Sequence, residues 1–266
     1  TFKWNMGWMH DFCEYMKLDP LFKKNNHHAL TFAMSYNGSE NYILPLSHDE
    51  VVHLKCSMVN KMPGYQVDKY ANLRTGYTYM FGHSGKKLLF MGQEFGQFIE
   101  WKYDSGLDWL LLGYDKHRQL KDYVKKLNNI YLKNPAFWEI DYSWEGFQWL
   151  VSDDNNNSVI AFARKDKKGE TVVAICNFTP VMREKYCFGV PAEGSYEVIL
   201  NSDAVEFGGE GKGTKTKASS KKIPMHGFDN SITVDLPGFS CIYLKHKPKA
   251  KKAEKASKPA AKTTKK

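Results

Sequence analysis

The chain has 266 residues, 42% hydrophobic and 14% aromatic, enough for one large domain or two smaller ones with buried cores, which excludes a disordered protein. Its net charge of +9 suggests nucleic-acid binding until it is located: residues 245–266 hold ten lysines and one glutamate, leaving 28 basic against 28 acidic residues elsewhere. No run approaches the roughly 18 consecutive apolar residues of a membrane span, and Cys13, Cys56, Cys176, Cys187 and Cys241 lack the spacing of a disulfide framework or of paired zinc ligands. The expectation is a monomeric cytoplasmic protein with reduced thiols and no membrane or specific nucleic-acid partner. The chain opens on Thr1 in patterned, aromatic-rich sequence, and reads as a segment whose natural start lies further upstream.

Trp8, Phe12, Tyr15 and Met16 recur at helical spacing before the breaker pair Asp19-Pro20. Residues 41–47 (NYILPLS) form a short apolar, β-prone run that ends in the polar cluster SHDE, a buried strand with a functional rim. Tyr70, Leu73, Tyr77 and Met80 mark another helical face, KLLFMG at 87–92 another buried strand, and Leu120 to Tyr131 a helical stripe that stops near Asn134-Pro135. Apolar strands alternating with helices predict a parallel sheet covered by helices. A complete eight-stranded barrel takes about 250 residues, so the region ending near 138 is less than a full barrel.

After Asp141 the pattern changes to short β-branched or alternating runs at 147, 158, 171, 196, 231 and 240, which predict an antiparallel β-sandwich. The Gly-, Lys- and Ser-rich stretch 201–230 reads as an exposed loop. The fold class is therefore α/β: residues 1–138 as the C-terminal part of a (β/α)8 TIM barrel, residues 139–244 as an all-β sandwich, and 245–266 as a disordered lysine-rich tail with little to bury.

Ser47-His48-Asp49-Glu50 is the strongest chemical signal, because in parallel barrels catalytic groups gather at the carboxyl ends of strands, where the loops converge. Strand alternation lets only one of Asp49 and Glu50 face that mouth; the same residues also suit a simple cap on the next element. His48 and His53 are five apart, where a zinc-binding helix needs four, so no metal site is expected. GGEGKGT at 208–214 lacks the hydroxyl residue after its lysine and the following helix that a phosphate loop requires. Glu94, after the second strand, occupies the same mouth-facing end as Asp49 and suits either substrate contact or a salt-bridged rim. Trp101, Tyr103 and Trp109 follow in a loop there, as flat rings for sugar stacking or as core residues.

FKWNMGWMHD, HHALTFAMSYNGSENYILPLSHDEVVH, GKKLLFMGQEFGQFIEW, SGLDW, and LNSDA followed by FGGEG, in that order, resemble the 1,4-α-glucan (glycogen) branching enzymes of the α-amylase family. The resemblance implies that FKWN, NYILPLSHD and KKLLFMGQEF are the sixth, seventh and eighth barrel strands. It makes Asp49 the third catalytic carboxylate and His48 its substrate-binding neighbour; Glu94 and Trp101 are further candidate glucan contacts from their position alone. It also implies that the family's nucleophilic Asp and acid/base Glu, on the fourth and fifth strands, precede this chain. No cofactor is implied, and the expected partner is an α-1,4-glucan such as glycogen or amylose. Another amylase-family hydrolase or debranching enzyme, or a noncatalytic glucan-binding protein, fits the same residues.

Overall fold

The computed structural model describes residues 1–249. Residues 250–266, most of the stretch read as a disordered tail, lie outside the described residues.

The helices are α1 (Met6–Lys17), α2 (Pro20–Lys23), α3 (His28–Thr31), α4 (Met58–Lys61), α5 (Gln66–Gly82) and α6 (Asp115–Lys133). With them come the strands β1 (Lys3–Trp4), β2 (Tyr42–Leu46) and β3 (Lys86–Leu89), which form a three-stranded sheet in the order β1-β2-β3. Both pairings are parallel, with Lys3 opposite Tyr42 and Leu46 opposite Leu89. Their continuously apolar character follows from that arrangement, since a parallel strand needs a helical crossover, and the helix covers the sheet.

The second half is all β: β4 (Phe147–Asp154), β5 (Val159–Lys165), β6 (Thr171–Asn177), β7 (Arg183–Val190), β8 (Gly194–Asn201), β9 (Lys217–Ser219), β10 (Asn230–Leu236) and β11 (Ser240–Pro248). Six of these strands form one sheet in the order β4-β5-β6-β11-β8-β9, and β7 pairs with β10 to form the second layer. All pairings here are antiparallel. Val159, Ala161, Val173, Ile175, Ile242 and Leu244 pack toward β7 and β10, against Phe188, Val190, Ile232 and Val234. The opposite face presents Ile160, Phe162, Ala174, Cys176 and Tyr243 to a core shared with α1 and α5. The large sheet is thus covered on both sides, which is why VIAFAR of β5 is buried throughout rather than alternating.

α5 is the spine of this junction. A methyl group on Gly76 would lie 2.9 Å from the Met16 Cε, so glycine is what lets α5 approach α1, and the C-terminal Gly82 would meet Phe162 of β5 at 3.1 Å. Beside it, the fully buried Arg164 of β5 donates to the carbonyls of Gly82 and His83 at 2.9 Å and of Gly146 at 3.0 Å. Its remaining nitrogen meets the Asp141 carboxylate at 2.9 Å. Asp141 also accepts from the Gly85 amide at 3.0 Å and the Lys86 ammonium at 2.9 Å. One buried ion pair therefore joins the end of α5, the start of β3 and the sandwich.

Two expectations need correction. Residues 245–248 are not tail: β11 runs to Pro248, held between β6 and β8, with Lys245 paired to Glu170 at 2.8 Å and the His246 ring 5.0 Å from that of Tyr196. Lysine stems can line a strand while their charges reach solvent, so composition alone placed the boundary too early. The stretch 201–230 is also more than an exposed loop, since the Asp203 carboxylate gathers the amides of Glu210 and Lys212, each at 3.0 Å. Phe207 is buried against Tyr123 of α6, with ring centroids 5.0 Å apart.

Candidate active-site rim

β2 ends at Leu46, and Ser47 turns the chain. Its hydroxyl oxygen accepts from the Asp49 amide at 3.3 Å and lies 3.1 Å from the Asp49 carboxylate, capping a single 3-10 turn over His48–Glu50. The turn sends neighbouring acids to different environments. The Glu50 side chain is only 6% exposed and is tied to Lys61 at 3.2 Å and His10 at 3.5 Å. Asp49 and His48 keep 43% and 48% of their side-chain surface, and the His48 Nε2 lies 3.5 Å from the Asp49 carboxylate. One carboxylate is thus consumed inside the structure and the other is open, although a 3-10 turn rather than strand alternation separates them.

Trp101 stands beside this pair. The Trp101 amide donates to the Val51 carbonyl at 2.8 Å, and its ring stands edge-on to His48 at 6.3 Å and to Phe90 at 5.2 Å. His48 in turn lies 5.9 Å from Phe90. Asp49, His48 and Trp101 therefore form one cluster beyond the carboxyl ends of β2 and β3. Glu94 is at the same end of β3, but its carboxylate folds back to accept the Gly92 amide at 2.8 Å within its own turn.

The sequence reading missed two residues. Gln93 donates from its side chain to the Leu46 carbonyl at 3.1 Å, tying the ends of the two strands together. Glu100 accepts from the backbone amides of Leu54 at 3.1 Å and Cys56 at 2.7 Å, with His53 4.0 Å away. The amide bonds, that of Cys56 first, hold the Glu100 carboxyl below the usual carboxylate range. Nothing in residue spacing signals this arrangement, because it depends on Leu54 (φ 65°) and Cys56 (φ 62°) taking the left-handed conformation. Leu54 is 83% exposed, so it packs against little in return. Leu54→Gly should stabilise the chain by up to about 1.5 kcal/mol, the relieved left-handed strain of about 1–2 kcal/mol less glycine's entropy of roughly 0.5–1. A lower urea midpoint for this variant would contradict the strain.

Among the described residues no cluster of three or more histidine, cysteine or acidic side chains is arranged to hold a metal ion, all five cysteines are free, and no helix is long and apolar enough to cross a membrane.

Residues 149–247 match the family model of the α-amylase C-terminal all-β domain. Two solved structures share the fold: an α-amylase from H. orenii, with a TM-score of 0.56 and 13% identity over 92% of this chain and 49% of that one, and AmyP with bound maltotriose, with a TM-score of 0.64 and 14% identity over 93% and 50%. The β-domain is thus of the α-amylase C-terminal type, and the chain as a whole shares the fold of these two structures. Its curated relatives are 1,4-α-glucan branching enzymes. The chain is 58% identical over 240 residues to the GlgB of Butyrivibrio fibrisolvens, 51% over 245 to that of Aquifex aeolicus and 49% over 246 to that of Halothermothrix orenii. These alignments take in 90–92% of the chain but only 38–39% of each relative's length, so the chain spans about two-fifths of its curated relatives.

Proposed function

We propose that this chain supplies the last three strands of a (β/α)8 barrel and the C-terminal β-domain of a cytoplasmic, monomeric 1,4-α-glucan branching enzyme acting on glycogen or amylose. Asp49 is its third catalytic carboxylate. The observation that carries this reading is the half-exposed Asp49–His48 pair at the carboxyl end of a parallel strand, beside an acid already neutralised by Lys61. β1 offers further support, since Phe2, Trp4 and Met6 leave apolar surface exposed along the outer edge of the three-stranded sheet, where additional barrel strands would cover it.

Retaining glycoside chemistry needs one carboxylate as nucleophile and one as acid and then base. By the family resemblance both come from strands upstream of residue 1. The α-1,4 bond breaks as the upstream aspartate takes the glycosyl group while the acid protonates the leaving oxygen. The 6-hydroxyl of a glucan then displaces the aspartate and surrenders its proton to the same acid/base group, giving an α-1,6 branch. Asp49 accepts hydrogen bonds from hydroxyls of the sugar being cleaved. His48 shares that contact, and Trp101 and Glu94 flank the sugar. Such bonds strengthen as the ring flattens, and so favour the transition state over the bound substrate.

In the full-length polypeptide, Asp49→Asn should lower turnover by about a thousandfold, on the order of 4 kcal/mol, while glucan binding persists. Near-normal branching by this variant, followed as loss of the iodine colour of amylose without new reducing ends, would refute the assignment. In the same assay residues 1–266 alone should leave the colour unchanged.

A further inference from the structure

We infer that Glu100 is a positioning residue: its carboxylate latches the loop after β2 to the segment after β3 and thereby sets where Trp101 stands against His48. The consequence for substrate rests on the glucan-facing reading of that cluster; the latch itself is a matter of this chain's geometry.

The loop after the Asp49 turn has little else to hold it. Residues 53–56 are all exposed, so none of their own side chains anchors them; besides the turn bond from the Lys55 amide to the Val52 carbonyl at 3.0 Å, the buried Lys61 ammonium holds the Lys55 carbonyl at 2.6 Å. What fixes their shape is the convergence of the Leu54 and Cys56 amides, both on left-handed residues, into a concave donor pair that the Glu100 carboxylate fills. Successive backbone amides turned inward in this way make a natural anion site, here occupied by the chain's own side chain. Two more bonds run between the same segments: the Trp101 amide to the Val51 carbonyl, and the Asn60 side chain to the Phe98 carbonyl, each at 2.8 Å. Residue 100 thus holds the loop, and residue 101, the next in the chain, carries the ring that meets His48 and Phe90. Releasing the carboxylate frees both sides of the rim together. Glutamine keeps the shape but offers one acceptor oxygen to two donors and sets an NH2 group against an amide.

Hydrogen exchange and NMR on the 266-residue chain test this directly. In Glu100→Gln the Leu54 and Cys56 amides should exchange at least about tenfold faster, and the contact between the His48 ring and the Trp101 indole should be lost. Glu100→Asp, which keeps the charge on a shorter stem, should fall between. The thermal midpoint of all three should agree within about two degrees, because the loop buries little. Unchanged amide protection or an unchanged His48–Trp101 contact in Glu100→Gln would overturn the latch. Maltoheptaose titrations of the same samples separate the two levels. Binding weakened about tenfold in both Glu100→Gln and Trp101→Ala supports the positioning role, and equal affinity in wild type and Glu100→Gln overturns it. A wild-type chain that binds no maltoheptaose, while its loop still opens on substitution, would sink the glucan-facing reading and leave the latch standing.

Discussion

Arg164→Met is expected to destabilise the chain by about 3–5 kcal/mol, because removing one partner of a buried ion pair strands the other in a medium that does not solvate it. The guanidinium is wholly buried and serves four backbone carbonyls, that of Ile140 at 3.4 Å included, as well as Asp141. Methionine fills much of the volume but donates nothing. The Gly82 and His83 carbonyls lose their Arg164 donor at the C-terminus of α5, where a cation also complements the helix dipole. Asp141 would keep only Lys86 and the Gly85 amide. Urea unfolding of the 266-residue chain measures the loss, and a change below about 1 kcal/mol would show that the junction is held by apolar packing instead. The two partners share one network, so Arg164→Met combined with Asp141→Asn should cost less than the sum of the single substitutions.

The pair also predicts an acid limb. Burial works to raise the Asp141 carboxyl, but Arg164, Lys87 and Lys86 outweigh it and hold the group below its ordinary 3.8. Its contribution to stability is therefore complete above that ordinary value and is lost as pH falls through the lower native one. Asp141→Asn should flatten this part of the acid-unfolding profile.

How much of this was legible in sequence depended on whether an element declares itself by period. α1, α5 and α6 do so, because each carries several turns of apolar residues, and β5 and β6 do so as unbroken apolar runs. β7 does not: Arg183, Glu184 and Lys185 open it on the exposed side of a two-stranded layer, and only Phe188 to Val190 are buried. α2 and α3, four residues each, are too short for a 3.6-residue period to register. At the rim, the strand-end position of His48 and Asp49 was readable from the run that precedes them. The Glu100 latch was not, because it requires left-handed backbone at a leucine and a cysteine, residues that carry no propensity for it.

Lys23 offers the opposite test, a buried charge whose removal should help. It ends α2 with no exposed surface, and its ammonium lies 5.1 Å from the Tyr15 ring centroid and 5.7 Å from those of Phe178 and Phe239. Its one hydrogen bond is a long one of 3.4 Å to Asn72, and among the described residues no carboxylate is within ion-pair distance. Burial drives its pKa from 10.5 down to about 7, with Asp19 opposing. Aromatic faces return about 2 kcal/mol when a cation is desolvated, less than the several kcal/mol that a shift of this size represents. Between pH 7 and 10.5 the unfolded chain therefore holds a proton that the native chain has released. Stability should rise with pH across that window, by up to about 1.4 kcal/mol per unit, and sit at its floor below pH 7. Lys23→Met keeps the aliphatic stem among the three rings and removes the proton from both states. It should raise stability by about 1–4 kcal/mol at pH 6 and by little at pH 10.5. Urea midpoints for wild type and Lys23→Met at pH 6, 8 and 10 give the comparison, and two curves that stay parallel across the range would mean that the ammonium keeps its hydration in the folded state.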